Sequence, residues 1–320
     1  MKRLGITMGD AAGVGAEIIL KILDTYLNEI IVYGSFDLLA YYSQRFSYDY
    51  FLKRIDSLEQ AEEDTLNIID PGDLALDDFR VGQLSALCGK NAYLYLEAAI
   101  RDAMDQKISA IVTCPLNKEA LRLAGYSYDG HTEILSTLTG TKDYAMLLWS
   151  DRLKTIHVST HVSLKEAVQR VKKERIVTIA GLAYDILKKA SYEAPKIAIA
   201  GLNPHAGENG LFGDEEIKEI IPAVEELKRM GIDAYGPISP DTVFLKCLHG
   251  EYDLVVAMYH DQGHIPLKLI DFDGGVNITC GLPIIRTSVD HGTAFDIAGK
   301  NIARPDSLIR AIEAAKTLAK

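Results

Sequence analysis

Short runs of apolar residues alternate along the chain with longer segments in which apolar residues recur every three or four positions. The short runs predict strands, and several are almost wholly apolar, which is typical of strands covered on both faces. The predicted strands are Leu4–Met8, Ile30–Tyr33, Asn67–Ile69, Ala110–Thr113, Ala145–Trp149, Thr155–Ser159, Ile197–Ala200, Leu254–Met258 and Ile284–Arg286. The longer segments predict amphipathic helices at Ala16–Tyr26, Lys90–Met104, Arg175–Lys189, Asp214–Met230 and Ser307–Ala319. Such alternation predicts an α/β protein with a mostly parallel sheet.

Length and charge restrict the classes of function. The 320 residues are enough for one large domain or for two lobes that share a cleft. The formal net charge is −11, and the sequence contains no block of Lys and Arg residues. A nucleic-acid or anionic-membrane surface needs a basic stripe, so neither partner is expected. A small anionic substrate stays possible, because a few local cations can bind it.

The cellular compartment is inferred from cysteine usage and from the first residues. Cys88, Cys114, Cys247 and Cys280 form no CxxC pair, so no disulfide framework is expected. The segment Met1–Asp10 lacks the apolar core of a signal peptide, and no apolar run reaches the roughly 18 residues of a membrane helix. We therefore expect a cytoplasmic protein.

Three histidines share one position, just after an apolar strand: His161, His205 and His260. The carboxyl ends of strands form the ligand crevice of open α/β sheets, so these imidazoles could converge on one metal ion. Their spacing matches no short ligand motif, and three unrelated loop histidines remain the alternative. His157 lies inside a strand and is expected to be a partnered core residue, whereas His249, in a turn, is expected to be solvated.

Two further segments carry candidate anion-binding residues. His131 and Thr132 stand where a helical pattern begins, a position that can hold a phosphate, although Thr132 could be an ordinary helix cap. The glycine-rich stretch from Asp261 to Arg286 holds Lys268, Asn277 and Arg286, which could bind a carboxylate or phosphate. The alternative for this stretch is a glycine-rich surface excursion.

The turn Met8–Gly15 is glycine-rich, but it does not match GxGxxG. No acidic residue about 20 positions further on ends a second strand, as it would in a dinucleotide-binding fold. A tight strand-to-helix turn is expected instead, with Asp10 and Glu17 placed at the cleft.

A more specific signal lies near the carboxyl terminus. The segment His291–Pro305 resembles the adenosine-binding loop of the β-decarboxylating dehydrogenases, the isocitrate and isopropylmalate family. The whole chain resembles the 4-hydroxythreonine-4-phosphate dehydrogenase family in the segments Ile6–Asp10, Gly130–Glu133, Ser159–His161, Gly201–Glu208, Ser239–Thr242, Met258–Gly263, Gly275–Thr279 and Asp290–Ala294. One departure is that Ala12 and Ala16 stand where relatives often have proline.

The resemblance implies an isocitrate/isopropylmalate dehydrogenase-like α/β/α fold with two lobes and the active-site cleft between them. We expect residues 1–130 with 290–320 to form the first lobe, and 131–289 to form the second lobe with the metal-binding histidines and dimer contacts. The resemblance also implies a homodimer whose metal site is shared across the interface.

The resemblance implies a role for each candidate. His161, His205 and His260 would bind a divalent cation, for which Zn, Co, Mg, Mn and Ni all remain open. The substrate would contact His131, Thr132, Lys268, Asn277 and Arg286. As our own hypothesis beside the resemblance, Lys268 and Asp241 are the candidate catalytic residues, with Asp241 as proton relay. NAD, with NADP left open, would contact His291, Gly292, Asp296 and Asn301.

Cys114–Leu121, Ala206–Glu216 and Gln262–Lys268 resemble the branch that contains the D-threonate and D-erythronate 4-phosphate dehydrogenases. The implied reaction is oxidation of the C3 hydroxyl of a 4-phosphorylated four-carbon acid by NAD, followed by decarboxylation to dihydroxyacetone phosphate. Three alternatives remain: the related dehydrogenase of pyridoxal phosphate (vitamin B6) biosynthesis, a metal-dependent phosphoester hydrolase or aldolase, and a non-catalytic phosphosugar-binding regulator.

Overall fold

The computed structural model describes residues 2–271 and 274–320, so two positions of the glycine-rich stretch lie outside the described residues. The strands, in chain order, are β1 (Leu4–Thr7), β2 (Ile30–Tyr33), β3 (Phe51–Ile55), β4 (Thr65–Ile69), β5 (Ile111–Thr113), β6 (Ala145–Trp149), β7 (Lys154–His157), β8 (Lys196–Ala200), β9 (Asp233–Ile238), β10 (Leu254–Ala257), β11 (Val276–Cys280) and β12 (Arg286–Ser288).

The helices are α1 (Gly15–Leu20), α2 (Leu23–Tyr26), α3 (Phe36–Arg45), α4 (Ala86–Met104), α5 (Lys118–Leu123), α6 (His131–Thr139), α7 (Leu164–Arg170), α8 (Lys173–Lys189), α9 (Ile221–Arg229), α10 (Val243–Leu248), α11 (His260–Ile270) and α12 (Asp306–Leu318). Short tight turns of helix lie at Leu27–Glu29, Leu58–Gln60, Leu76–Asp78 and Pro204–Gly210, and one wide turn lies at Glu216–Ile220.

The chain divides into two compact units, the first of which comprises Met1–Lys142 and Leu282–Ala319. Its strands run in the order β3-β4-β2-β1-β5-β12, and every pairing between them is parallel. Strands β1 and β2 are buried at every position, as expected for strands covered on both faces. Helix α12 is tied to this sheet by Thr287, whose hydroxyl donates to the carbonyl of Ala311 at 2.8 Å.

The second unit comprises Asp143–Gly281 together with Lys320. Its strands run in the order β11-β6-β7-β10-β8-β9. Strands β11, β6 and β7 pair antiparallel, and the pairs β7–β10, β10–β8 and β8–β9 are parallel. Helix α8 is bound to the sheet by Arg175, which donates to the carbonyls of Val158 and Tyr144. The expectation of a mostly parallel α/β sheet is confirmed in each unit.

The division between the units differs from the expected one at both boundaries. Helix α6 packs against α4, so His131 and Thr132 belong to the first unit rather than the second. Strand β12 pairs with β5, which brings Arg286 into the first unit as well. Sequence alone did not indicate these long-range pairings.

Three strands escaped the sequence prediction. Strands β3 and β9 lie at the edges of their sheets and are largely exposed or half-buried, so they lack a continuous apolar run. Strand β9 also contains Gly236 and Pro237, residues that usually argue against a strand. Strand β11 directly follows Gly274 and Gly275. The glycines of this stretch hid its apolar residues, so no strand was predicted there.

No helix in the described part of the chain is long and apolar enough to cross a membrane. Cys88, Cys114, Cys247 and Cys280 are all buried and carry free thiols.

The turn between β1 and α1 is closed by backbone packing and by one buried carboxylate. A Cβ atom at Gly15 would come within 2.0 Å of the carbonyl oxygen of Met8, so the turn requires glycine there. Asp10 is buried, and its Oδ1 accepts a hydrogen bond from the amide of Ala12 at 2.9 Å. Desolvation raises the pKa of Asp10 to about 6, although the Ala12 amide opposes the shift.

Two glycines inside helices give opposite predictions for stability. A Cβ atom at Gly89 of α4 would lie 2.2 Å from the carbonyl oxygen of Ala120, whereas one at Gly181 of α8 would meet nothing within 4 Å. Gly89→Ala should lower the free energy of unfolding by roughly 1–3 kcal/mol through overpacking. Gly181→Ala should raise it by about 0.5–1 kcal/mol, because alanine favours a helix. Denaturant unfolding measures both, and equal effects would contradict this packing.

The carboxyl of Asp10 predicts a dependence of stability on pH. Because its pKa is raised by folding from 3.8 to about 6, stability is lost as the pH rises through that window. Asp10→Asn should therefore gain stability over the wild type by about 2 kcal/mol more at pH 7 than at pH 4. Urea unfolding across this range tests it, with the exposed Asp77→Asn as control for loss of one carboxylate. A difference that does not change with pH would refute the assignment.

Candidate active site

The three strand-end histidines follow three neighbouring strands of the second unit. Strand β10 pairs in parallel with β7 on one side and with β8 on the other, so their carboxyl ends lie at the same edge of the sheet. His161 follows β7, His205 follows β8, and His260 follows β10 as the first residue of α11. The predicted strand-end placement of all three is confirmed.

Hydrogen bonds join these strand ends just before the histidines. The hydroxyl of Ser159, after β7, donates to the carbonyl of Met258, after β10, at 3.2 Å. Gln262 is buried in α11, accepts from the amide of Met258 at 2.6 Å and donates to the carbonyl of Gly201, after β8, at 2.8 Å. The starting points of the three loops are therefore fixed relative to one another.

Two of the three histidines have left-handed backbone. The φ angle is 50° at His161 and 52° at His205, and left-handed conformation continues from His205 through Asn209. Such backbone is costly for residues with a Cβ and is concentrated at functional sites. The buried carboxylate of Glu216 supports the loop, because it accepts from the amides of Leu202 and Asn203 at 2.8 and 2.7 Å.

Within one chain the three imidazoles belong to two groups. The ring centroids of His161 and His260 are 5.6 Å apart. The ring of His205 instead packs 6.4 Å from the ring of Phe212, and His205 lies close enough to Asp241 to contribute to the lowered pKa of that carboxyl. Among residues 2–271 and 274–320, no group of three or more His, Cys, Asp or Glu side chains is placed to hold a metal ion.

The ring of His260 nevertheless suits a metal ligand. Its Nδ1 lies 2.8 Å from Oδ1 of Asp261, and a carboxylate accepts only, so Nδ1 carries the proton. The lone pair is then on Nε2, and a carboxylate bound to the other ring nitrogen is typical of metal-ligating histidines. Imidazoles with such support fit a divalent transition metal, and the donor set of a single chain fits only part of a three-histidine site.

The other two histidines singled out from the sequence behave as expected. His157 is buried in β7, its Nδ1 lies 3.4 Å from the carbonyl of Met146, and burial lowers its pKa to about 3. His249 is exposed at the end of α10.

His131, Thr132 and Arg286 all belong to the first unit, and Arg286 lies close enough to His131 to influence its protonation. His131 and Thr132 are the first two residues of α6, after Gly130, and both are half-buried. Desolvation, reinforced by the positive charge of Arg286, holds the pKa of His131 well below its usual value. Arg286 is buried at the start of β12 and donates to the hydroxyl of Thr113 at 2.7 Å. A neutral imidazole, a hydroxyl, a helix amino end and a guanidinium together favour an anion.

Lys268 and Asn277 lie in the second unit. Lys268 is half-buried in α11, and Asn277 is half-buried in β11, opposite Leu148 of β6. Oδ1 of Asn277 is buried and accepts no hydrogen bond from the described residues. Buried polar atoms are normally satisfied, so this oxygen is available to a donor on a ligand or a water molecule.

Side chains of Glu17 in α1 and of Lys21, the residue after α1, bind the backbone of the segment His291–Pro305. Glu17 is fully buried and accepts from the amides of Gly299 and Asn301, one with each carboxylate oxygen. Lys21 donates to the carbonyls of Asn301 and Ala303 at 2.9 and 2.7 Å. The expectation that Glu17 faces a cleft is therefore wrong, since its carboxylate is enclosed beneath this loop.

The predicted cofactor residues differ in how available their side chains are. His291, Gly292 and Asp296 are exposed, and the Nδ1 atom of His291 lies 2.9 Å from the carbonyl of Gly292. Asn301 is half-buried, has a φ of 55°, and accepts at Oδ1 from the hydroxyl of Tyr48 at 3.2 Å. The side chains of His291 and Asp296 and the backbone of Gly292 can contact a ligand directly, and Asn301 also closes the loop.

Asp241 is exposed and accepts from the hydroxyl of Ser239 at 2.5 Å. That hydrogen bond is the main cause of its lowered pKa. The carboxyl is therefore ionised over the neutral range.

Sequence reasoning gave Glu17 the wrong place, and it missed four further residues that support the site: Lys21, Glu216, Asp261 and His264. Only His264 left a usable signal, because it stands four residues after His260 and so on the same helical face. The contacts of Glu17, Lys21 and Glu216 depend on the tertiary fold, and no local sequence pattern predicts them.

Comparison with known proteins gives the family. The family described as pyridoxal phosphate biosynthetic protein PdxA matches residues 26–315. The D-threonate 4-phosphate dehydrogenase of Salmonella typhimurium (strain LT2) is 47% identical and covers 99% of both chains. The 4-hydroxythreonine-4-phosphate dehydrogenase of Aquifex aeolicus is 45% identical, with 97% of this chain and 96% of that protein covered.

Solved structures agree with these sequence relatives. The structure of 4-hydroxythreonine-4-phosphate dehydrogenase from Klebsiella pneumoniae superposes with a TM-score of 0.92 and 46% identity, covering all of both chains. A beta-decarboxylating dehydrogenase from Thermococcus kodakarensis has a TM-score of 0.50 at 16% identity, over 99% of this chain and 82% of that one, and shows the fold alone. The expected α/β fold of that dehydrogenase type is confirmed. The chain is an oxidoreductase that belongs to the PdxA family.

Proposed function

We propose that the protein is an NAD-dependent, divalent-metal-dependent dehydrogenase of D-threonate 4-phosphate or D-erythronate 4-phosphate. Carbon C3 would give its hydrogen to NAD as a hydride, and the C3 hydroxyl would release a proton. The resulting β-keto acid would lose its carboxylate as carbon dioxide, and carbon C2 would take up a proton to give dihydroxyacetone phosphate. The observation that carries the proposal is the placement of His161, His205 and His260 at three adjoining strand ends. The 47% identity to the Salmonella D-threonate 4-phosphate dehydrogenase supports the substrate class.

The three histidines would hold the metal ion through neutral imidazole nitrogens, with Asp261 fixing the proton of His260 on Nδ1. When bound, the cation would act as a Lewis acid that lowers the pKa of the substrate hydroxyl. Zinc, cobalt and nickel suit imidazole ligands well, and magnesium and manganese remain in the proposal.

Exposed apolar side chains support a homodimer in which the metal site is completed by a second subunit. Leu211, Phe212 and Ile217 are 71, 47 and 49% exposed and follow the His205 loop. Ile265 and Leu269, on the helix that begins at His260, are 56 and 82% exposed. Large exposed apolar side chains gathered near functional loops are typical of an interface between proteins. Each chain would then contribute part of the three-histidine set.

The anionic groups of the substrate would be bound by the residues that favour an anion. His131 and Thr132 would hold the phosphate at the start of α6, near the charge of Arg286. Lys268 would bind and orient another anionic group, and the buried Oδ1 of Asn277 would accept from a substrate hydroxyl. These roles stay proposals for all five residues.

The exposed side chains of His291 and Asp296, with Gly292 and Asn301, would contact the adenosine part of NAD. Glu17 and Lys21 support this role, because they hold the loop in one conformation before a ligand arrives. Asp241 stays our candidate for proton relay beside His205, and it would begin the reaction in its ionised form. The cytoplasmic location likewise stays a prediction from the sequence.

One alternative substrate has its own support. The Aquifex relative at 45% identity is named 4-hydroxythreonine-4-phosphate dehydrogenase, an enzyme that acts on a closely similar phosphorylated hydroxy acid. Both substrates would present the same phosphate, carboxylate and C3 hydroxyl to the residues described above.

A direct assay ranks the two substrates. Purified enzyme supplied with Co²⁺ or Zn²⁺ and NAD should form NADH with D-threonate 4-phosphate, and dihydroxyacetone phosphate should appear in equal amount. Turnover with 4-hydroxythreonine 4-phosphate should have a kcat/KM at least about tenfold lower, which corresponds to roughly 1.4 kcal/mol in transition-state binding. NADH formation is followed by its absorbance.

A variant tests the proposed proton relay in the same assay. Asp241→Asn keeps the shape of the side chain but cannot take up a proton, so this variant should lower kcat more than it changes KM.

If the enzyme turns over only 4-hydroxythreonine 4-phosphate, the order of the two substrates is reversed. Release of inorganic phosphate without NADH would instead favour the hydrolase alternative.

A further inference from the structure

His264 lies against the face of His260, one turn further along α11. The two ring centroids are 3.6 Å apart and the ring planes differ by 12°, so the imidazoles are stacked. Residues four apart share a helix face, but a parallel stack at this distance also requires the second ring to be held in place. The stack thus limits rotation of the His260 ring about its χ angles.

A hydrogen-bonded anchor holds the His264 ring. Its Nδ1 lies 3.1 Å from the carbonyl oxygen of His260 and 3.2 Å from Nε2 of His157. The carbonyl accepts only, so Nδ1 of His264 carries a proton that both acceptors share. Nδ1 of His157 faces the carbonyl of Met146 at 3.4 Å, which leaves the lone pair of His157 on Nε2, toward His264.

The anchor sits on the rigid part of the second unit. His157 belongs to β7 and is 2% exposed, with its ring centroid 4.7 Å from that of His264. A Cβ atom at position 263 would lie 2.4 Å from Nε2 of His157 and 2.6 Å from Oγ1 of Thr155. Gly263 therefore lets α11 approach β7 closely enough for the two imidazoles to meet.

We propose that His264, held by His157, is a positioning residue that fixes the ring of His260 for metal binding. The order of contacts runs from the buried strand through His157 and His264 to the face of His260, while Asp261 holds the edge of that ring. The inference rests on the proposed function, because it assumes that His260 is a metal ligand. Outer contacts of this kind change metal affinity by about 10–100-fold when they are removed from metalloenzymes.

The test measures Co²⁺ binding to the full-length protein after removal of metal with a chelator. His264→Ala should weaken Co²⁺ binding by about tenfold or more and change the visible spectrum of the bound ion. His264→Phe keeps a flat ring against His260 and loses the Nδ1 anchor, so its affinity should lie between those of wild type and His264→Ala. The exposed His249→Ala is the matched control and should bind Co²⁺ as the wild type does.

A second pair of variants asks whether His157 acts through His264. His157→Asn should weaken Co²⁺ binding in the wild-type background and cause little further loss when His264 is already Ala. Independent, additive losses would mean that His157 supports the site by another route and would overturn the anchor. Thermal unfolding of each variant identifies any loss that comes from misfolding, and His264→Phe preserves the ring volume if His264→Ala is unstable.

The outcomes separate this inference from the proposed function. Wild-type protein that binds no Co²⁺ would remove the metal site itself. Wild-type protein that binds Co²⁺ while folded His264→Ala binds it equally well would overturn the positioning role alone. Equal losses in His264→Ala and His264→Phe would show that the stacked ring face is not what holds His260.

Discussion

The parallel pairing of β10 with both β7 and β8 is the constraint on which the candidate site depends. Parallel neighbours end at the same edge of a sheet, so the loops after these strands begin side by side although they are far apart in the chain. Ser159 and Gln262 then join the strand ends by hydrogen bonds to Met258 and Gly201. Each loop carries one histidine within a few residues of these hydrogen-bonded strand ends. The sheet therefore determines where the three histidines lie.

Carboxylates hold the functional loops of both units in shape. Glu216 accepts from amides before the left-handed run at His205, and Glu17 accepts from amides within the segment His291–Pro305. Asp261 does the same for a side chain, because it fixes the proton of His260. Left-handed backbone at residues with a Cβ is unfavourable by itself, so such loops persist only where buried partners of this kind determine them. The binding groups are thereby set before a ligand arrives.

The sequence predicted those parts of the fold that depend on local pattern. Buried strands such as β1, β2 and β10 are visible in the sequence as apolar runs. The histidines after β7, β8 and β10 could be found because each stands just after such a run. Edge strands β3 and β9 lack such runs. The two unit boundaries, the burial of Glu17 and the contact of His157 with His264 depend on which distant segments meet, and periodicity carries no information about that.

X-ray absorption spectroscopy of the Co²⁺-loaded protein in solution shows whether His161, His205 and His260 bind one metal ion. We expect one Co²⁺ per subunit with imidazole scattering from three histidines, and loss of one imidazole from that shell in His205→Ala. A shell of oxygen ligands alone, or one that His205→Ala leaves unchanged, would contradict it.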